Sequence, residues 1–241
     1  VCKGVDHILK NNLIHQNIPV VRIVEQKKAK TMSHWVILSI LSYTRDIYGY
    51  YHQENTKIYK PRKEIDFLSP KIGIYGIGAI GSVVLKDLYN LGFNVEGWSR
   101  TEKNIKNIFC NHGDNGFVKM LSNCNIHVCL LPLTKSTNHI FNKETFALMK
   151  KNSCFINAGR GDQVVEKDLL VSCKSGHIAN AILDVYEEEP LPENHPFWDQ
   201  KNIRIWPHVA AETNPETAAK QIANAINCIN EGKSPPNIVD R

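Results

Sequence analysis

The chain has 241 residues, 42% of them hydrophobic and 8% aromatic, enough to bury one large core or two modest ones. Its formal net charge of +5 is mild, and no basic run is longer than "QKKAK" at 26–30, which indicates a solvated surface and no nucleic-acid footprint. No apolar run approaches the roughly 18 residues that span a bilayer, no signal-peptide pattern opens the chain, and seven cysteines without a CxxC pair or zinc-spaced Cys/His cluster read as thiols of a reducing, cytoplasmic compartment.

In chain order, the first clear element is a long amphipathic helix expected over 32–53, with Met32, Trp35, Val36, Leu38, Ile40 and Leu41 on its apolar side. From residue 71 short apolar strands alternate with helical segments. "KIGIYGI" (71–77) precedes a helix at 79–91; "NVEGWS" (94–99) and "NIHVCLLPL" (125–133) follow as strands. Asn142 reads as an N-cap ahead of "KETFALMKK". Next come the strand "SCFINA" (153–158), the helical "EKDLLVSCKSGH" with Gly176 near its end, and the strands "ANAILDVY" (179–186) and "NIRIWP" (202–207). "NPETAAKQIANAINCINEG" closes the series as a helix, with Asn214 as N-cap, Pro215 in the first position, and Gly232 beyond the end. Strands separated by helices imply βαβ units, hence an α/β fold with a doubly wound parallel sheet.

The loop after the first strand carries Gly76, Gly78 and Gly81 as GxGxxG, followed by a helical pattern through Ala79 and Ile80. The first glycine permits a tight turn, the second lets a pyrophosphate approach the backbone, and the third allows close helix–strand packing. The helix N-terminus adds a partial positive charge, so the loop is a candidate dinucleotide cradle. An Asp or Glu about 20 residues on would accept from a ribose 2′-OH. Here that place holds Ser99 and Arg100, and Glu96 lies too early in the strand to substitute. A guanidinium cannot accept a hydroxyl proton but binds a 2′-phosphate through two N–H groups. With Ser99 and nearby Lys103, Arg100 therefore favours NADP(H), with NAD(H) left open.

Three further stretches place polar groups just after strands, where open α/β sheets build their sites. They are "INAGRGDQVVEKDLL" (156–170) with Arg160, "LDVYEEEPLPENHPFW" (183–198) with Glu189, and "IWPHVAAET" (205–213) with His208. Reduction of a 2-oxo acid requires a cation for the carboxylate, a proton donor and a reductant held against the carbonyl. Arg160, His208 and the glycine loop offer one each.

These stretches, with "IYGIGAIG" and "LLPLTKST", resemble the D-isomer-specific 2-hydroxyacid dehydrogenases. "GWSR", "HVCLLPLT", "EPLPENHPFW" and "PHVAAET" are similar to their glyoxylate/hydroxypyruvate reductase branch, and the likeness runs from "KGVDHIL" (3–9) to "NIVDR" (237–241). The resemblance implies that Arg160 holds the substrate carboxylate and 2-oxo oxygen and that His208 is the general acid. Glu189 would pair with His208 and favour the imidazolium. Asp184 would meet the nicotinamide carboxamide, and Leu131 and Pro132 would lie along the cofactor. Lys3, Gly4 and Val5 would turn backbone N–H groups toward the substrate. The resemblance also implies a homodimer formed around the 32–53 helix; the charge, apolar-run and cysteine patterns lead us to expect no nucleic-acid, membrane or metal partner.

The same likeness implies a Rossmann NAD(P)-binding domain over 25–211 and an incomplete flavodoxin-like substrate domain, 1–24, completed by 212–241. The chain opens on Val1, and its natural start is expected upstream. Gly159 stands where the family commonly has alanine or serine, a change expected to loosen the backbone beside Arg160, and Trp206 stands in place of a common threonine. Open alternatives are an NAD-linked phosphoglycerate-type dehydrogenase, a non-catalytic dinucleotide-sensing binding module, and a partial gene product.

Overall fold

The protein is described here by a computed structural model covering residues 15, 18–21, 23, 26–62, 70–212 and 215–239. The chain divides into two compact units, residues 29–210 and residues 1–28 with 211–241. The larger unit is built on a sheet of seven strands. They are β1 (Ile72–Tyr75), β2 (Val95–Ser99), β3 (Phe109–His112), β4 (Ile126–Cys129), β5 (Ser153–Asn157), β6 (Ile178–Leu183) and β7 (Ile203–Ile205). Their order is β3-β2-β1-β4-β5-β6-β7, and every pairing is parallel. The order reverses between β1 and β4, which makes the crevice at their carboxyl ends the expected ligand position. The doubly wound parallel sheet read from the sequence is the fold observed.

Helices α1 (Gln26–Thr44), α2 (Ile47–Asn55), α3 (Ala79–Asn90), α4 (Gly113–Asn123), α5 (Lys143–Leu148) and α6 (Glu166–Lys174) accompany the strands. β1, β4 and β5 are buried along their whole length, as parallel strands covered on both faces must be. Tyr75 stands edge-on to Phe117 and Phe141 with ring centroids 5.4 Å apart in each pair, and Phe141 meets Phe155 at 4.9 Å. This aromatic cluster fixes the spacing of the strands from which the site is built.

Two buried polar groups lie on the same strands. The Tyr75 hydroxyl is 2.9 Å from His127 Nδ1, and among the described residues His127 Nε2 has no partner. Burial, reinforced by Lys150, pushes His127 down to about 3, so the ring stays neutral. Glu96 on β2 is buried, accepting from Cys124 Sγ at 3.2 Å and facing Lys71 Nζ at 3.6 Å. Its carboxylate is spent inside the sheet, in keeping with its exclusion as a ribose acceptor.

The helix expected over 32–53 is two helices. Asp46, at φ +48°, breaks the chain and accepts from Gly49 N at 3.2 Å as the N-cap of α2, and Arg62 pairs with it. Asp tolerates the left-handed region because its short side chain bonds locally. β3 and α4 were not anticipated; β3 is a four-residue edge strand that exposes Phe109 and buries Asn111, so it lacks the apolar-inward pattern by which strands are read. At α5 the anticipated cap is present, Asn142 Oδ1 accepting from Thr145 N at 3.1 Å.

In the smaller unit, α7 (Pro215–Asn230) ends where Gly232, at φ +69°, lets Lys233 N reach Cys228 O at 2.8 Å. A bridge between Val21 and Ile238 ties its two chain segments. Asn214 lies outside the described residues, as do Lys3, Gly4 and Val5. Among the described residues no helix is long and apolar enough to cross a membrane.

Candidate active site

The glycine loop leaves β1 and enters α3. Gly76 N donates to Trp98 O at 2.8 Å, and its φ of +111° is a conformation that side-chain-bearing residues rarely adopt. A Cβ on Gly76 would lie 2.8 Å from Leu130 O, and one on Gly81 only 1.9 Å from Gly76 O. At Gly78 the same test meets nothing within 4 Å. Two glycines are therefore demanded by close backbone packing, and the third faces open space. Gly78 caps α3 without a side-chain bond, and Ala79 beside it is exposed, so the first-turn N–H groups keep their donors for a ligand. This cradle fits a dinucleotide pyrophosphate on the grounds of backbone shape and free donors.

The neighbouring strand ends complete the groove. Leu131 is buried and Pro132 exposed in the loop after β4, whose first residue, Leu130, donates from N to Tyr75 O at 2.8 Å. Ser99, at the end of β2, donates its hydroxyl to Thr101 O at 2.7 Å, closing a short turn. Arg100, next in that turn, is exposed and has no hydrogen-bond or ion-pair partner among the described residues. A guanidinium held out by an ordered turn and paired with no carboxylate among the described residues suits a phosphate monoester.

The three strands beyond β4 carry the chemistry. Arg160 follows β5; its backbone N donates to Gln163 Oε1 at 2.8 Å, and its O accepts from Asn157 Nδ2 at 3.1 Å. The expected looseness at Gly159 is not what the structure has. Gly159 is buried, its N donates to Asn157 Oδ1 at 3.0 Å, and a Cβ there would lie 2.3 Å from Gln163 Oε1. The position is tight because the Gln163 side chain fills the space that a residue-159 side chain would take. Gly161 is equally constrained, since its Cβ would lie 1.8 Å from the Tyr186 carbonyl carbon.

His208 follows β7 at φ +58° and turns Nδ1 to within 2.7 Å of Glu189 Oε2. A carboxylate only accepts, so Nδ1 carries the hydrogen and Nε2 is the nitrogen left to exchange a proton. Glu189 is held at its other oxygen by Tyr186 N at 3.1 Å. Asp184, buried at the end of β6, accepts from Val209 N at 2.8 Å and Ala210 N at 2.9 Å, clamping the turn that carries His208. Burial raises its pKa against these two bonds and the nearby imidazole, which lower it. Trp206 packs edge-on against Trp35 with ring centroids 6.0 Å apart, and Tyr186 Oη bridges Leu183 O and Trp206 N. Glu166 Oε2 meets His195 Nε2 at 3.2 Å while its Oε1 accepts from Glu187 N at 3.1 Å, so the start of α6 anchors the loop bearing Glu189. Sequence reasoning missed Gln163, Tyr186, Asn157 and Glu166. Each is an ordinary polar residue near a motif, with no spacing that marks it.

The family model for the D-isomer specific 2-hydroxyacid dehydrogenase, NAD binding domain, matches residues 37–210. The chain is 34% identical over 242 residues to a glyoxylate/hydroxypyruvate reductase A of Yersinia enterocolitica, covering 98% of this chain and 77% of that protein. It is 36% identical to a glyoxylate/hydroxypyruvate reductase A of Photorhabdus laumondii, with the same coverage. Among solved structures, a D-isomer specific 2-hydroxyacid dehydrogenase from Xanthobacter autotrophicus in complex with NADPH and MES superposes with a TM-score of 0.91 at 34% identity, covering 98% of each chain. An NADPH-dependent glyoxylate/hydroxypyruvate reductase from Sinorhizobium meliloti, in complex with NADP and sulfate, gives 0.90 at 33% identity, covering 98% of this chain and 76% of that one.

Proposed function

The chain belongs to the D-isomer-specific 2-hydroxyacid dehydrogenase family, and on that premise we propose that it uses NADP(H) to reduce glyoxylate and hydroxypyruvate to their 2-hydroxy acids. The observation that carries the reading is the His208–Glu189 pair at 2.7 Å, on the same sheet edge as Arg160 and the glycine cradle. Support for the cofactor and substrates comes from the relatives' NADPH- and NADP-bound structures and their names.

Gly76, Gly78, Ala79, Ile80 and Gly81 hold the pyrophosphate, Ser99 and Arg100 the 2′-phosphate, and Leu131 and Pro132 flank the dinucleotide. When bound, the reduced nicotinamide supplies a hydride. Arg160 engages the substrate carboxylate and 2-oxo oxygen, orienting the carbonyl and drawing electron density to its oxygen. His208 Nε2 delivers a proton to that oxygen, so that hydride and proton together convert C=O to CH–OH. Glu189 holds the ring at Nδ1 and compensates the imidazolium charge. Asp184 keeps the His208 turn in place and offers its remaining acceptor capacity to the nicotinamide carboxamide.

Exposed Leu38, Leu41, Ile47, Tyr50 and Tyr51 on α1 and α2 support a homodimer through that face. Seven cysteines without a CxxC pair support a reducing, cytoplasmic setting. His208→Ala should lower kcat by roughly 10²- to 10⁴-fold, with NADPH affinity unchanged. Wild-type turnover in that variant would remove His208 from the chemistry.

A further inference from the structure

Gln163 is fully buried at the third position of the 3-10 turn Gly161–Gln163, three residues after the arginine assigned to the substrate. Its carboxamide is used at both ends. Oε1 accepts from Arg160 N at 2.8 Å and from Cys129 Sγ at 3.1 Å, and Nε2 donates to Leu131 O at 2.7 Å. One side chain thus joins the turn after β5, which carries Arg160, to the end of β4 and the loop along the dinucleotide groove. Cys129 suits its part, because burial pushes its thiol up to about 12 and keeps it a donor.

The neighbouring residues make room for this bridge. A Cβ at residue 159 would lie 2.3 Å from Gln163 Oε1, 3.0 Å from Leu131 O and 3.3 Å from Cys129 Sγ. Gly159 and Gln163 are therefore a matched pair, the amide occupying the volume that the glycine leaves. The bridge is also desolvated, so replacing the amide by an apolar group strands the Arg160 N–H and the Leu131 carbonyl together.

We propose that Gln163 is a positioning residue, setting the distance between the substrate cation Arg160 and the nicotinamide-bearing groove by bridging their two loops. Hydride transfer depends steeply on that distance, and a displacement of about 1 Å can cost roughly 10²-fold in rate. The inference rests on the reading that Arg160 binds a 2-oxo acid beside NADP(H).

Gln163→Met keeps the volume and removes all three bonds. Gln163→Glu keeps the acceptor, and when protonated it supplies an O–H for the Leu131 carbonyl. Four quantities are measured on the wild type and both variants: NADPH Kd by fluorescence titration, kcat and KM for glyoxylate across pH, thermal unfolding, and amide exchange at residues 158–163. For Gln163→Met we expect cooperative unfolding, an NADPH Kd within about threefold of wild type, kcat lower by roughly 10- to 100-fold, and Arg160 amide exchange faster by up to roughly tenfold. Gln163→Glu should recover much of the lost kcat at low pH and lose it as the carboxylate ionises, a falling limb additional to the one that loss of the His208 proton gives in the wild type. A wild type that does not turn over any 2-oxo acid with NADPH overturns the functional reading and this inference with it. An active wild type matched in kcat by a folded Gln163→Met overturns the positioning role alone. If Gln163→Met fails to unfold cooperatively, the additional pH limb of Gln163→Glu decides: its presence supports the role and its absence overturns it.

Discussion

In the proposed reaction Arg100, on an exposed turn, would serve recognition and His208, on a half-buried one, would serve chemistry. Arg100 stands at the end of β2 with no partner among the described residues; Glu96 on the same strand is buried between Cys124 and Lys71, and the exposed Glu102 two residues on makes no ion pair with the guanidinium. The guanidinium, held by no carboxylate of the chain, suits a phosphate. Replacing Arg100 with Ala should weaken NADPH roughly 10- to 100-fold, the scale of a charge-assisted hydrogen bond, while NADH changes less than about threefold. Titration of both dinucleotides checks this, and equal losses would mean that Arg100 does not read the 2′-phosphate. His208 was legible as a histidine after a strand, but its clamp was not. Asp184, two bonds to Val209 and Ala210, and Tyr186 behind Glu189 fix the imidazole through backbone contacts that no residue pattern encodes.

Among the elements, the parallel strands were readable because burial on both faces writes them as unbroken apolar runs. The glycine loop was readable because backbone approaches of 2.8 and 1.9 Å leave no choice of residue at Gly76 and Gly81. What escaped was decided by neighbours. β3 is an edge strand that exposes Phe109 and buries Asn111, recognisable only by its pairing with β2. The break between α1 and α2 rests on Asp46 adopting φ +48° and capping Gly49, a local bond that helical periodicity cannot register. Gly159 looked loose and is locked, because the residue that fills its space comes four positions later. The α1–α2 pair leaves Leu38 44% and Tyr51 63% exposed, more apolar surface than a solitary helix pair needs. If the proposed homodimer forms through this face, the wild type sediments as a dimer and the Leu38→Glu, Tyr51→Glu double variant as a monomer, with unfolding still cooperative. A double variant that stays dimeric would place the interface elsewhere.

For the whole molecule, the sheet centre carries an acid liability. His127 is held neutral, its value pushed down to about 3 from 6.5 by burial and Lys150. The unfolded chain takes up a proton below 6.5 that the folded chain refuses until about 3, so this group costs no stability above that window. Within it, stability falls as pH drops, by about 1.4 kcal/mol per pH unit for one proton. His127→Gln preserves a partner for the Tyr75 hydroxyl and removes the titration. Denaturant unfolding at pH 6 and pH 4.5 should show a shallower loss for the variant by nearly one proton. An unchanged slope would mean that the ring already accepts its proton in the folded state.

The same sheet that bears this cost brings the ends of β1, β2, β4, β5, β6 and β7 to one edge, which lets the proposed site draw on groups more than a hundred residues apart in sequence. The most direct measurement is steady-state oxidation of NADPH and NADH by the protein with glyoxylate and hydroxypyruvate. NADPH should be consumed with either acid at a kcat/KM at least tenfold above that for NADH, that ratio corresponding to about 1.4 kcal/mol of discrimination. No consumption of NADPH with either acid, or a preference for NADH, would contradict the account.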